Sequence, residues 1–436
     1  MLISFKVSNY KSLRDPQELS MLPSRRDSEF EALPVAAIYG ANASGKSNLI
    51  EALCFKDNLA GAWTEPLHRP FRLDRRSRKH STSYEIECEL DGVRYEYRLS
   101  VSSVGIVNER LSSYPAHRKR ILLDRTGDRI TIGATMTNRS ALQELSSETP
   151  SNTPTLSMAE MFRATEWQPF WQWLQRGLRS INLDHSYLSS FTTELPDAIE
   201  RHPVLIELAK VADLGIADIR VVDLAALKDE TLLEALTEFL ETRRDQRHQA
   251  LTKSLLSEVA SEEEDLDQNR IRQQILSFRH LEFYHQSHGQ PLAAGDQSRG
   301  TISFLLYMAR ILDALQDGAS LVIDEFDTSL HPRIIPRIIE LFQDKRTNPK
   351  NAQLIFSTHD ATLLGTSFGE PILKRDEVWF VEKQEDGASE LYPLTSFKPR
   401  KEHNLERHYL GGSYGGVPDI HPESLVEIVA AANKTE

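Results

Sequence analysis

The stretch AIYGANASGKSNLIEAL, residues 37–53, sets a glycine-rich turn between an apolar run and a helix-like run. Gly40-Ala41-Asn42-Ala43-Ser44-Gly45-Lys46-Ser47 fits the pattern G-x-x-x-x-G-K-[ST]. In such a loop the backbone N–H groups from Gly40 through Asn42, Ala43, Ser44 and Gly45 face a phosphate, helped by the N-terminus of the following helix. Lys46 is expected to reach the outer phosphates and Ser47 to ligate Mg²⁺. The context fits, with an apolar strand at 35–39 and a helix at 46–55.

A second stretch completes the pattern. In SLVIDEFD, residues 320–327, the apolar run predicts a buried strand with Asp324 and Glu325 at its C-terminal end, where open α/β sheets bind ligands. Asp324 is expected to hold Mg²⁺, and Glu325 to polarise an attacking water. Lys46 and Asp324 lie 278 positions apart, far more than a compact phosphate-loop kinase needs. Two further segments bear on the class. GDQSRGTISFLL (295–306) opens a helix with Ser298-Arg299-Gly300-Thr301, and IFSTHD (355–360) puts His359 at the end of the next strand. Ser298 also suits a helix N-cap.

The chain has 436 residues, enough for two or three domains or one large domain with an insertion. It contains no apolar run of 18 residues, so no membrane span is expected. The start, MLISFKVSNYKSLRD, reads as a strand rather than a signal segment. The two cysteines, Cys54 and Cys88, exclude a disulfide framework and a CxxC zinc site, and suggest a reduced, cytoplasmic setting. Net charge is −13, but residues 1–140 carry 22 Lys and Arg against 17 Asp and Glu. An acidic chain is not a whole-surface nucleic-acid binder, although a local basic site remains open.

Residues 2–8 alternate like a strand, and YEIECELDGVRYEYRLSV (84–101) reads as a hairpin around Asp-Gly. Short strands continue to about residue 133. ALQELSSETPSNTPTLS predicts a loop. Helical patterning dominates 157–285, and 229–276 would span roughly 70 Å if wholly helical. From 290 onward helices at 298–316 and 332–344 alternate with apolar strands, and a further helix is expected before DEVWFVEK (376–383). This implies a parallel sheet. The expected organisation is 1–137 as one half of a head, 138–285 as a mostly helical insertion, 286–400 as the other half, and 401–436 as a tail.

Together these residues resemble the ATP-binding-cassette (ABC) ATPase heads of the SMC and RecF type. The fold implied is an α/β phosphate-loop head, with a mixed β subdomain, a parallel sheet with helices, and a helical insertion. The resemblance makes Ser298, Arg299, Gly300 and Thr301 the signature that completes a second subunit's ATP site, and His359 the switch histidine. It places TSLHP (328–332) in a subunit-contacting loop. The signature departs from Leu-Ser-Gly-Gly-Gln in having Arg299 between Ser298 and Gly300 and Thr301 after them. FKVSNYKSLRD also resembles the first strand of such heads, making Lys11 and Ser12 candidates for the base site.

The chain is more closely similar to bacterial stand-alone ATPases of the abortive-infection and anti-phage kind. The similarity runs through GANASGKSNLIEAL, LGIADI (214–219), LVIDEFDTSLHP and the tail HYLGGSYGGVPDI. It implies ATP and Mg²⁺ as ligands, a homo-oligomer, and a separately encoded effector such as a TOPRIM-type nuclease-like protein. The alternative is a DNA-repair or recombination ATPase that clamps duplex DNA, although the long arms and zinc hook of such heads are missing. HRPFRLDRRSRKH (68–80) groups Arg69, Arg72, Arg75, Arg76, Arg78 and Lys79. It could follow a phosphate backbone, dock an acidic protein, or be a solvated loop.

Overall fold

Strand β3 (Val35–Tyr39) is buried at every position, as are β13 (Ser320–Ile323) and β14 (Gln353–Ser357). Continuous apolar runs of this kind suit parallel strands covered on both faces. The computed structural model describes residues 1–24, 30–59, 67–181, 187–212, 214–223, 279–285, 290–328, 330–366, 369, 371–400, 403–418, 426–427, 429–430 and 432. The long helix expected over 229–276 lies outside the described residues.

The central sheet has six strands in the order β16-β15-β3-β14-β13-β9, with β9 at Leu178–Ile181, β15 at Val378–Lys383 and β16 at Ser389–Pro393. Strands β15, β3, β14 and β13 are parallel, and β16 is antiparallel to β15. Phe356 stands in register with both Ala37 and Ile323, so β3 and β13 run level on either side of β14, with β3 continuing to Tyr39 beyond the end of β13. The chain leaves β3 through the glycine loop into helix α1 (Lys46–Leu53).

A second sheet has seven antiparallel strands in the order β2-β1-β4-β5-β6-β7-β8. These are β1 (Leu2–Ser8), β2 (Gln17–Ser20), β4 (Thr82–Leu90), β5 (Val93–Ser102), β6 (Gly105–Tyr114), β7 (Arg120–Thr126) and β8 (Arg129–Ile132). Burial alternates along β4, as expected for a sheet with one covered face. The Asp91-Gly92 turn has positive φ at both residues, the geometry that joins strands of this twist. One apolar cluster includes Phe5, Val7 and Ile86 of this sheet, Leu49 and Leu53 of α1, and Val322, Ile355 and Val381 of the six-stranded sheet. Gln353 ties the two sheets: its side chain accepts from the Leu2 N–H at 2.6 Å and donates to the Leu2 carbonyl at 2.9 Å.

The expected loop after residue 140 is partly helical, with α2 at Arg139–Ser147. Buried Glu109 accepts the N–H groups of Thr155 and Leu156 at 2.7 and 2.9 Å, and buried Arg125 donates to the Thr153 carbonyl at 2.7 Å. Short helices α3 (Ala159–Phe162) and α4 (Gln168–Gln172) follow. Phe170 packs on Tyr95 and Tyr97 of β5 with ring centroids 6.0 and 5.6 Å apart. This packing joins 139–180 to the first half of the chain.

The chain divides into two compact units. One is Met1–Ser180 with Ala314–Thr328 and Ile335–Glu436; the other is Ile181–Asp313 with Ser329–Ile334. These boundaries differ from the expected ones at 137 and 285. Nor do helices alone fill 138–285, which contributes β9 to the central sheet and an antiparallel pair, β10 (Ile216–Asp223) with β11 (Arg279–His285). The second unit also holds α5 (Tyr187–Arg201), α6 (Val204–Val211) and β12 (Leu292–Ala293). Helix α7 (Arg299–Asp317) begins in this unit and leads into β13, and α8 (Ile335–Gln343) precedes β14. The helix expected after IFSTHD is only a 3-10 turn, Ala361–Leu364, capped by the Asp360 carboxylate on the Thr362 N–H at 2.9 Å.

Candidate nucleotide site

The glycine loop crosses from the end of β3 to α1. Gly45 has φ +115°, and a side chain there would overlap Ser389 and Ser12. Gly40 is equally confined, since a Cβ would overlap the Val381 carbonyl and the Ser44 hydroxyl. These close approaches account for both motif glycines. Ala43 also sits in the left-handed region, at φ +62°. Asn42, Ala43 and Ser47 are exposed, whereas Ser44 is buried.

Lys46 is buried at the start of α1, and its Nζ donates to the Gly40 and Ala41 carbonyls at 2.8 and 3.1 Å. Burial lowers the pKa of its ammonium, while the charges of Asp324, Glu325 and Asp327 act in the opposite direction. The glycine loop and the acid pair therefore share one electrostatic site.

Ser357, at the end of β14, organises the acids. Its hydroxyl donates to the Asp324 carboxylate and accepts the Glu325 N–H at 2.7 Å. Glu325 lies at φ +50°, a strained conformation for a non-glycine residue that costs on the order of 1–3 kcal/mol. Ser357 and the bonds from Thr328 to the Glu325 carbonyl, at 2.9 and 3.1 Å, hold it there. Its side chain is exposed while Asp324 is half-buried. The His359 N–H donates to Asp327 at 3.0 Å, and the His359 side chain is exposed at the same strand ends.

Ser47 and Asp324 supply hard oxygen donors of the kind Mg²⁺ takes when phosphate oxygens complete its shell. Among the described residues there is no group of three or more His, Cys, Asp or Glu able to hold a metal. That donor set fits a cation bound jointly with a phosphate.

Ser12 lies beneath the loop. Its hydroxyl accepts from the Asn48 side chain at 2.7 Å and from the Ser389 hydroxyl at 2.8 Å. Lys11 pairs with Glu51, which also accepts from Tyr10 at 2.8 Å and Arg69 at 2.9 Å. Burial alone would raise the Glu51 pKa, but bonds from Lys11 and Tyr10 bring it below the ordinary value. Lys11, Ser12, residues 68–73 and Lys383 line a cleft of about 760 Å³.

The basic stretch is anchored at its back. Asn9 donates to the Ser77 and His80 carbonyls at 2.8 and 2.9 Å and accepts the Phe71 N–H at 3.0 Å. Arg72, Arg75, Arg76, Arg78 and Lys79 face solvent, whereas Arg69 is joined to Glu51. Ser298 caps α7, accepting the Thr301 N–H at 3.1 Å. Ser298, Arg299 and Gly300 are exposed and Thr301 is buried, all in the second unit.

Sequence reading did not assign Asn9, Ser357, Asp327 or Ser389. Ser357 and Asp327 stand inside quoted motifs, so adjacency was their only signal. Asn9 likewise stands inside the quoted FKVSNYKSLRD, whereas Ser389 has no such signal, because its partner Ser12 is distant in the chain.

Among the described residues no helix is long and apolar enough to cross a membrane. No curated protein matches the chain at a significant level. Among solved structures, the SMC head domain from Thermotoga maritima aligns with 90% of this chain and 98% of that one, at 12% identity and a TM-score of 0.40. A family model described as "AAA domain, putative AbiEii toxin, Type IV TA system" matches residues 35–365. That span runs from β3 past His359, so it contains the glycine loop and the acid pair and covers well over half the chain. The protein therefore belongs to this AAA family of phosphate-loop ATPases, whose model carries the AbiEii-like description.

Proposed function

We propose that the protein binds and hydrolyses ATP as a switch between joined and parted heads, and that this switch controls a separate effector in anti-phage defence. The observation that carries the reading is the meeting of the Lys46 loop and the Asp324–Glu325 pair across β14, organised by Ser357. Backbone amides of the loop and Lys46 bind phosphates. Ser47 and Asp324 hold Mg²⁺, which when bound screens phosphate charge. Glu325, exposed and fixed by its backbone, accepts a proton from the attacking water. His359 contacts the terminal phosphate.

Residues Ser298–Thr301 are assigned to the site of a second copy, so two heads enclose the nucleotide. Contacts made only in that state supply the free-energy difference a switch requires. The family description supports a role in a toxin–antitoxin or abortive-infection setting. An effector of the TOPRIM type belongs to this proposal. A second reading, duplex-DNA clamping, draws on the exposed arginines of 72–78 and requires ATP-dependent, salt-sensitive binding.

The deciding experiment is the solution molar mass of Glu325→Gln with and without ATP and Mg²⁺, measured by light scattering. The expected result is an ATP-dependent rise in mass, or compaction of a fixed oligomer. Bound ATP with no change in mass or shape would overturn the joined-head mechanism.

A further inference from the structure

The tail segment HYLGGSYGG, residues 408–416, returns to the glycine loop. Helix α9 (Leu405–Leu410) is capped by Asn404, which accepts the Arg407 N–H at 2.9 Å. It ends in glycines, of which Gly412, Gly415 and Gly416 have φ of +76°, +66° and +66°. A Cβ at Gly415 would fall 2.5 Å from the Tyr392 hydroxyl, and one at Gly416 would lie 3.5 Å from Gly40 Cα. The tail therefore lies backbone to backbone on the first glycine of the loop.

Aromatic packing holds it there. The Tyr409 ring meets Tyr39, the last residue of β3, edge-on at 5.3 Å and stacks on Phe380 at 5.5 Å. Tyr414 stacks on Phe380 at 5.8 Å, and its carbonyl accepts from Tyr392 at 2.9 Å. The Tyr409 hydroxyl donates to the carbonyl of Gly416, the residue that lies against Gly40, at 3.4 Å. Burial pushes this hydroxyl up to about 12, so it stays protonated at neutral pH. Tyr39 extends the connection by donating to the Asp360 carbonyl at 3.1 Å, next to His359.

We propose that Tyr409–Gly416 is a clasp on the phosphate loop and that Tyr409 is a positioning residue for nucleotide binding, so that nucleotide binding and clasp docking are coupled. The inference rests on the nucleotide reading of the loop. A phosphate-binding loop works by aiming its amides, and Gly40 is where that aim begins. Coupling is reciprocal: a clasp that favours nucleotide is itself stabilised by nucleotide.

The test uses full-length protein and a fluorescent ATP analogue with Mg²⁺. Tyr409→Phe keeps the ring and removes the hydroxyl, and Gly416→Ala disturbs the clasp from the other side. Each is expected to weaken binding roughly two- to tenfold, the range of one hydrogen bond. In parallel, hydrogen exchange reads the Gly411, Gly412 and Ser413 amides, which tie the clasp to α9 by donating to the Arg407, Tyr409 and His408 carbonyls at 2.9 Å. Nucleotide is expected to slow their exchange in the wild type and not in Lys46→Ala. Unchanged affinity in both variants overturns the clasp, as does weakening that only follows lost thermal stability with no protection of those amides. Equal binding by wild type and Lys46→Ala would sink the nucleotide reading, and the clasp with it.

Discussion

At the starts of the parallel strands, Gln353, Ser320 and Glu377 are buried; at the ends, Ser47, Glu325 and His359 are exposed. The residue types are similar, an amide, hydroxyls, carboxylates and an imidazole, but their partners differ. Gln353 is spent on the Leu2 and Leu33 backbone and on the Ser320 hydroxyl. Glu377 accepts the Lys374 N–H and the Gln343 amide at 2.7 and 2.8 Å. At the opposite end, Glu325 is held by its backbone while its side chain is left accessible. Polar groups at the strand starts replace water inside the fold, and those at the strand ends keep their capacity for a ligand.

The largest expected effect tests the functional end. Glu325→Gln should slow ATP turnover about 10²–10⁴-fold, the range for a lost general base, with no change in melting temperature. Turnover equal to wild type would remove Glu325 from the water-activating role.

At the other end, Gln353→Leu strands the Leu2 amide and carbonyl and the Leu33 carbonyl. Stability should fall by about 2–4 kcal/mol, read from urea denaturation, while nucleotide affinity of the folded protein stays the same. An unchanged denaturation midpoint would break the distinction between the two ends.

Glu377 refines it further. Burial raises its carboxyl pKa to about 7. The folded protein therefore favours the protonated acid. That contribution is complete below the unfolded value near 4.5 and is lost as pH rises through about 7. Glu377→Gln should remove this loss, on the order of 3 kcal/mol, so its stability relative to wild type rises between pH 5 and 7.5. Parallel urea midpoints for the two proteins across that window would contradict the assignment.

The phosphate loop, the apolar strands and the acid pair were legible in the sequence because each is local. A glycine pattern specifies a turn, a run such as SLVI specifies a strand buried on both faces, and residues next to a strand end inherit its position. Helices read from their period also stand where expected, as α7 and α8 show. The strand β9 was not legible, since LRSI, unlike SLVI, is not a continuous apolar run and is too short to show an alternation. Nor was the coupling of Ser357 to Asp324 and Glu325, of Ser389 to Ser12, or of Gly416 to Gly40. These partners are separated by 32 to 377 positions and meet only through the assembled fold: Ser357 reaches the acids because β14 lies beside β13, and Ser389 stands on β16 at the sheet's other edge. The chain alone determined which chemistry is present. Tertiary structure decided which neighbours aim it, because hydrogen bonds over such separations depend on sheet order and register rather than on local pattern.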